Sequence, residues 1–478
     1  MNDTHTTPSS SSPWAALPVL LAGAFMVVLD FFIVNVALPT MQVDLHAGSS
    51  TLIWVVAGYG LSFAVCLVLA GRLGDELGRR RLFLLGIGLF AASSAACGAA
   101  GDPVALVAAR VVQGAAGAIV MPQVLSIIGT SFTGDDYPRA LSIYGVVLGL
   151  AAVGGQIIGG ALVALDPAGL SWRACFLINV PVGLIALAGR RPVPESRAPI
   201  RAPLDLAGAG LLAVGLLAVL VPLSEGQSTG WPLWTWVSLA LSPAVLAAFA
   251  LRQSRVIRRG GIPLLDLRLF AQRAFSAGLL AQVALACAQA AFFVYLALYL
   301  QQGRGMSALA AGLLFTVLAV AYVAVSGPAP ALTARFGRRV VAAGGVCLAG
   351  GLGLLAVVVA DIGRGGSWGE LVPGLMLVGA GIGLCYTPLT SIVLSRLDPN
   401  GAGAASGGMT TVQQVGYAVG VALTGVIFFA ARRHGIAHAF VLSLLELAAL
   451  GACVLLATRL LPAPTRAGAP ALASQTAT

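Results

Sequence analysis

Long apolar stretches, each closed by a short polar or glycine-rich break, run from one end of the chain to the other. Stretches of membrane-crossing length fall at residues 14–38, 51–71, 82–100, 103–128, 140–165, 174–189, 205–223, 234–251, 274–300, 309–330, 340–360, 371–394, 408–431 and 436–461. About twenty apolar residues in a helix cover the hydrocarbon core of a bilayer. The pattern therefore predicts fourteen transmembrane helices, and an even number returns both termini to one side. Residues 1–13 are Ser/Thr-rich and residues 462–478 Pro/Ala/Thr-rich, so both ends are expected to be disordered tails. The first apolar run is too long for a signal-peptide core and is expected to stay as the first helix.

Two basic stretches divide the array. Residues 190–203 are rich in Pro and Arg, and residues 252–273 carry six Arg. They mark out a six-helix bundle over 14–190, linkers plus two extra helices over 191–273, and a second six-helix bundle over 274–461. A repeat supports the two halves. Leu73-Gly74-Asp75-Glu76-Leu77-Gly78-Arg79-Arg80 follows helix two, and Leu332-Thr333-Ala334-Arg335-Phe336-Gly337-Arg338-Arg339 follows helix ten. Parallel repeats of this kind build many secondary transporters.

Composition excludes a soluble globule: 58% of the 478 residues are hydrophobic and 9% charged. The net charge of +10 comes from 27 Arg and no Lys. Placing the termini in the cytoplasm leaves only Arg173, Arg304, Arg364, Arg432 and Arg433 in outer segments, with Arg110 inside a helix. The positive-inside bias thus sets the orientation. Loops lying near anionic lipid account for the basic balance, and no nucleic-acid partner is needed. The seven Cys lie in apolar runs without metal-ligand spacing, so neither a disulfide framework nor a metal site is expected. No phosphate-cradling loop is present, so ATP and other cofactors are not expected, and neither is an enzyme.

Polar residues inside the spans carry the candidate chemistry. Asp30 lies in the middle of the first run, where an ionisable group costs about 2.5–3.5 kcal/mol on insertion scales and is kept because it binds something; a proton is the first candidate. Arg110, Gln113, Gly114 and Gly117 share one face of helix four by their spacing. Arg110 needs either a partner, for which Asp30 is the leading candidate, or a route to the interface. Helix five carries Gly149, Gly155, Gly159 and Gly160, which suit close helix contact, and Gln156 among them, which either packs or borders a cavity. The second half offers Gln282, Gln289, Tyr295, Tyr322, Tyr386, Gln413, Gln414 and Tyr417. These either bond between helices or line a cavity for drug-like molecules. Glu446 in the last span is read as structural or lipid-edge.

Four strings carry a family resemblance. Gly71-Arg72-Leu73-Gly74-Asp75-Glu76-Leu77-Gly78-Arg79-Arg80-Arg81 resembles the loop signature of the major facilitator superfamily; its other reading is a positive-inside loop. Asp30 to Pro39, Arg110 to Gly117 and Trp172 to Gly183 resemble motifs of that superfamily's fourteen-span drug:proton antiporter branch. The resemblance implies an all-α major facilitator fold of 6+2+6 helices. It also implies a multi-pass, monomeric exporter of hydrophobic small molecules in a bacterial cytoplasmic membrane, driven by protons. It assigns proton coupling to Asp30 and Arg110, and a cytoplasmic gate that latches the two halves to Gly71, Asp75, Gly78, Arg79 and Arg80. The substrate cavity falls to Asn35, Gln113, Gln156, Gln282, Gln289, Tyr295, Tyr322, Tyr386, Gln413, Gln414 and Tyr417. One departure stands out: Gln156 occupies the place where antiporters of the family usually carry Pro. A dedicated exporter of one self-made metabolite, an uptake permease and a membrane sensor remain the other readings.

Overall fold

The computed structural model describes residues 13–134, 136–197, 205–261, 263–264, 267–394 and 402–461. Most of the expected tails, and part of the linker around residue 200, fall outside the described residues. Among the described residues, fourteen helices are long and apolar enough to cross a membrane. They are α1 (Pro13–Asp44), α2 (Ser49–Leu77), α3 (Arg79–Ala99), α4 (Pro103–Ser131), α5 (Asp136–Leu165), α6 (Asn179–Ala188, which with the short helical pieces before it forms the span Ser171–Ala188), α7 (Leu206–Thr229), α8 (Leu233–Arg258), α9 (Arg273–Leu298), α10 (Ala308–Ser326), α11 (Arg338–Ile362), α12 (Val372–Leu394), α13 (Ala402–Ala431) and α14 (Ile436–Ala457).

Local chemistry sets several ends. Asp102 accepts from the backbone N–H of Val104 and Ala105, both at 2.9 Å, and Pro103 opens α4. Ser307 caps α10 in the same way. The run expected at 309–330 ends early because Gly327 and Pro328 break it; a short helix, Ala329–Phe336, follows. Gly78 and Gly337, the matching glycines of the repeat, both hold φ in the left-handed half of the map, at 108° and 56°. Each lets the chain reverse directly into the next helix.

Helices α1–α6 pack together, as do α9–α14. The halves meet along α2 against α13 and α5 against α10, with α1 crossing to α9. The pair α7–α8 packs on itself, and α7 lies against α2 and α13 at the side of that seam. Close approach depends on small residues: a Cβ added to Gly160 would sit 2.6 Å from the Ala308 carbonyl, and one on Gly312 would sit 2.5 Å from the Gln156 carbonyl. At the end of the bundle away from the termini, Gln301 Nε2 donates to the Val36 carbonyl (2.8 Å) and Gln302 Nε2 to Gln42 Oε1 (2.7 Å), fastening the halves together.

Candidate functional site: a neutral cavity backed by a buried ion pair

Helices α1 and α4 bring Asp30 and Arg110 together in the interior of the first half, where neither side chain has any exposed surface. Arg110 Nη1 donates to Asp30 Oδ2 at 2.5 Å and to Gln113 Oε1 at 2.8 Å, and its Nε donates to the Val55 carbonyl at 3.0 Å. Asp30 Oδ1 accepts from Gln113 Nε2 and from Asn179 Nδ2, both at 2.8 Å. Asn179 also donates to Ser94 Oγ, which donates to the Phe176 carbonyl. The guanidinium lies over the Tyr59 ring, 4.2 Å from its centroid, with Phe176 at 5.6 Å. Three polar atoms in this cluster have no hydrogen-bond partner: Arg110 Nη2, Asn179 Oδ1 and the Tyr59 hydroxyl. A buried charge survives only when paired and hydrogen-bonded, and four helices supply those partners here.

The cluster brings together the two residues expected to couple protons and places both outside the cavity lining. Along α1 the cavity receives Val27, Val28, Phe31 and Phe32. Successive residues turn by about 100°, which carries Asp30 away toward α4. Gln113, expected in the cavity, is drawn into the cluster by its two bonds to the ion pair. Two members of the cluster, Asn179 and Tyr59, escape the sequence reading. Asn179 stands inside the quoted string Trp172 to Gly183, and its position in an apolar run is the signal that could have found it.

Between the halves lies a cavity of about 350 Å³. Among the described residues its lining holds no Asp, Glu, Arg or His. Aromatic rings line it: Phe31, Phe32, Tyr59 and Phe63 from the first half, and Phe293 and Phe315 from the second, the last two stacked at 5.4 Å. Phe31 meets Tyr417 at 5.0 Å, where a neutral hydrogen-bonding network begins. Gln413 Nε2 donates to the hydroxyls of Tyr386 (2.7 Å) and Tyr417 (2.6 Å), and Tyr417 donates to Gln289 Oε1 at 3.3 Å. Gln156 lines the cavity while donating to the Phe32 carbonyl, so it also pins α5 to α1. Tyr322 and Gln414 line it too, and Met121, Gly145 and Thr410 extend it toward the end that carries the termini.

Three further residues expected in the cavity lie elsewhere. Asn35 turns its amide back onto the carbonyls of Phe31 and Phe32. Tyr295 donates to the Val421 carbonyl of α13 at 2.7 Å and is buried there. Gln282 is buried in helix packing. The Asn35 amide is thus taken by its own helix, and Tyr295 and Gln282 are buried by packing, before the cavity can claim them. Gly155 and Gly159 press on the α1 backbone and Ile33, and Gly160 on α10, whereas Gly149, expected at an interface, faces the cavity. Glu446 lies outside the cavity lining, at the middle of α14 beside Thr424, and neither carboxylate oxygen has a hydrogen-bond partner.

The loop between α2 and α3 fastens to its own half's outgoing chain. Asp75 pairs with Arg79 at 2.8 Å. The backbone N–H of Arg79 donates to the Ser196 carbonyl, that of Arg80 to Glu195 Oε1, and the Arg80 guanidinium to the Arg190 carbonyl. Gly78 leaves room for the Glu195 carboxylate, and Gly71 faces open space. The neighbouring Arg72 reaches the Pro263 carbonyl in the segment before α9. The matching Arg338 in the second half donates to the carbonyls of Arg459 and Leu461 at the end of α14. Among the described residues, these bonds join each loop to the segment leaving its own bundle, and Arg72 to the linker.

Comparison with known proteins adds to this geometry. The profile of the Major Facilitator Superfamily matches residues 20–421. A probable actinorhodin transporter of Streptomyces coelicolor is 38% identical over 88% of this chain and 73% of its own length. A tetracenomycin C resistance and export protein of Streptomyces glaucescens is 34% identical over 89% of this chain and 79% of its own. Among solved structures, an auto-inhibited POT family peptide transporter superposes with a TM-score of 0.68 at 16% identity, covering 93% of this chain and 96% of that one. A bacterial homologue of the human lysosomal transporter Spinster, inward-facing and unoccupied, gives 0.65 at 17% identity, covering 95% and 98%. At such identities the structural likeness concerns the fold alone.

Proposed function

The chain belongs to the Major Facilitator Superfamily, and from that premise we propose that it exports uncharged, ring-bearing small molecules across a bacterial cytoplasmic membrane, coupled to proton entry. The observation that carries the cargo class is the cavity lining: aromatic rings beside Gln and Tyr hydrogen-bonding groups, and no charge among the described residues. Such a wall stacks on a planar ring and bonds its hydroxyl or carbonyl edges. A cation would find no counter-charge there. Relatives named for actinorhodin transport and for tetracenomycin C export support export as the direction.

In this reading the face with the termini is cytoplasmic, as the Arg distribution favours. The cavity then belongs to an inward-facing state, sealed outside by Gln301 and Gln302. The halves rock about the glycine-lined α5–α10 contact and the α2–α13 seam. Asp30 takes the proton. Protonation removes the anion that holds Arg110, so the cluster has two arrangements, and transport alternates between them.

Cargo accumulation in a bacterial host stripped of its own efflux pumps tests the proposal. Danthron, a neutral dihydroxyanthraquinone, and tetraphenylphosphonium, a permanent cation, serve as probes. Expression should lower danthron accumulation several-fold and leave tetraphenylphosphonium nearly unchanged. Unchanged danthron, or preferential loss of the cation, overturns the cargo class. The two relatives are each named for a single antibiotic, which favours the narrower reading of a dedicated exporter of one aromatic metabolite; biosynthetic genes beside this one would support it.

A further inference from the structure

The cavity lining and the Asp30–Arg110 cluster have one side chain in common among the described residues. We infer that Tyr59 is the positioning residue through which cargo in the cavity and the proton on Asp30 sense each other. The inference rests on the proposed proton coupling and adds the physical link that coupling requires.

The Tyr59 ring stands at the back of the cavity wall, 1% exposed, next to Phe31 at 6.1 Å and Phe63 at 6.0 Å. The guanidinium of Arg110 lies over its face, 4.2 Å from the ring centre. The ring therefore borders both the cavity and the buried charge. Its position is set by glycine: a Cβ on Gly117 would stand 3.0 Å from the Tyr59 hydroxyl, and Gly114 admits the Tyr59 backbone against α4. The hydroxyl has no hydrogen-bond partner, and neither has Arg110 Nη2. So the ring face, rather than the hydroxyl, carries the interaction.

The two arrangements of the cluster differ at this ring. With Asp30 ionised, the guanidinium is held by the carboxylate at 2.5 Å. With Asp30 protonated, the Val55 carbonyl, Gln113 and the Tyr59 ring remain to hold it. The electron-rich ring face then carries more of the cation's compensation. Cargo packed against Phe31 presses the Tyr59 ring behind it toward Arg110, and Arg110 toward Asp30, so cargo binding and proton release go together. Linkage makes the effect reciprocal: a bound proton weakens cargo binding by the same factor. The arrangement also disfavours cationic cargo, because the guanidinium lies just behind the cavity wall and the lining offers no counter-charge among the described residues.

The test uses the full-length protein in dodecyl maltoside with danthron as probe, reading proton release with a pH-indicator dye and binding by equilibrium dialysis. Wild type should release protons on binding and bind more weakly as pH falls. Tyr59→Phe, which keeps the ring, should behave like wild type. Tyr59→Leu should still bind danthron but lose most of the proton release and the pH dependence of its Kd. Phe63→Leu, at a wall ring that does not cover the guanidinium, should change Kd while leaving the pH dependence intact. Pentafluorophenylalanine at position 59 keeps the ring's shape and reverses its polarity, and should behave like Tyr59→Leu; it decides the matter even if the leucine variant does not fold. Proton release from the pentafluorophenylalanine or leucine protein equal to that of Tyr59→Phe would overturn the role of Tyr59. Danthron binding without proton release in wild type would instead overturn the proton coupling on which the inference rests.

Discussion

Replacing Asp30 by Asn removes the carboxylate that pairs with Arg110 while preserving the shape of the site. The carbonyl oxygen of the new amide can keep the two donors that now reach Oδ1, from Gln113 and Asn179. The amide nitrogen, however, faces Arg110 Nη1, donor against donor, in place of an ion pair at 2.5 Å with both side chains fully buried. Removing one member of a buried pair costs about 3–5 kcal/mol, because the other charge is left uncompensated. The Val55 carbonyl, the Gln113 amide oxygen and the Tyr59 ring remain on Arg110 and place the expected loss near the bottom of that range, about 3 kcal/mol. Taking away both charges, as Asp30→Asn with Arg110→Gln, leaves no orphaned ion. The double variant should therefore be more stable than the sum of the single losses by about 2–3 kcal/mol. Reversible unfolding by SDS in mixed micelles near neutral pH gives all four stabilities. An Asp30→Asn loss under about 0.5 kcal/mol, or single effects that simply add, would refute the claim that the pair is the organising charge of the first half.

Other perturbations follow from the same geometry. Gln413→Leu removes the donor shared by the Tyr386 and Tyr417 hydroxyls; it should weaken danthron binding about fivefold, corresponding to about 1 kcal/mol, with the fold unchanged, as dialysis and size-exclusion profiles would show. Gly160→Val drives a side chain into the Ala308 carbonyl and should cut transport sharply while the protein still inserts, at a cost of about 1–3 kcal/mol; normal transport would mean that this contact does not carry the motion. Asp205, at the start of α7, is held by Arg252, Gly208 and Gln253. Burial alone would raise its carboxyl pKa, but those bonds outweigh it and hold the value below the usual 3.8. A depressed folded-state pKa adds stability above the unfolded value and loses it as pH falls through the folded one. The thermal-stability gap between wild type and Asp205→Asn should thus be constant above about pH 5 and close at strongly acid pH; a gap that widened on acidification would refute the clasp.

The fourteen spans were readable because hydrophobic length alone specifies a bilayer-crossing helix, and Asp30 and Arg110 because charge in such a run is conspicuous. Their pairing followed from the cost of such a charge, since a buried charge needs a counter-charge and Asp30 was the leading candidate for Arg110, although α1 and α4 are far apart in sequence. Tyr59 and Asn179 carry no such mark, since neutral polar groups are common in membrane helices. The same ambiguity explains the mixed outcome for the cavity. Gln289, Gln413 and Tyr417 line it, while Tyr295, with similar composition around it, bonds a neighbouring backbone instead. Which side of a nearly uniformly apolar helix faces a partner depends on packing, which periodicity reports poorly when every face is hydrophobic. Gly327 and Pro328 are the reverse case: a local break inside an apolar run whose length alone predicts one continuous helix.

The most direct test of proton-coupled export is danthron movement in proteoliposomes under an imposed pH gradient. Wild type should move danthron uphill when protons flow the opposite way, and should exchange it across the membrane without a gradient. Asp30→Asn should keep the exchange and lose the uphill movement. Uphill movement by Asp30→Asn equal to wild type would contradict the assignment of the coupling proton to Asp30.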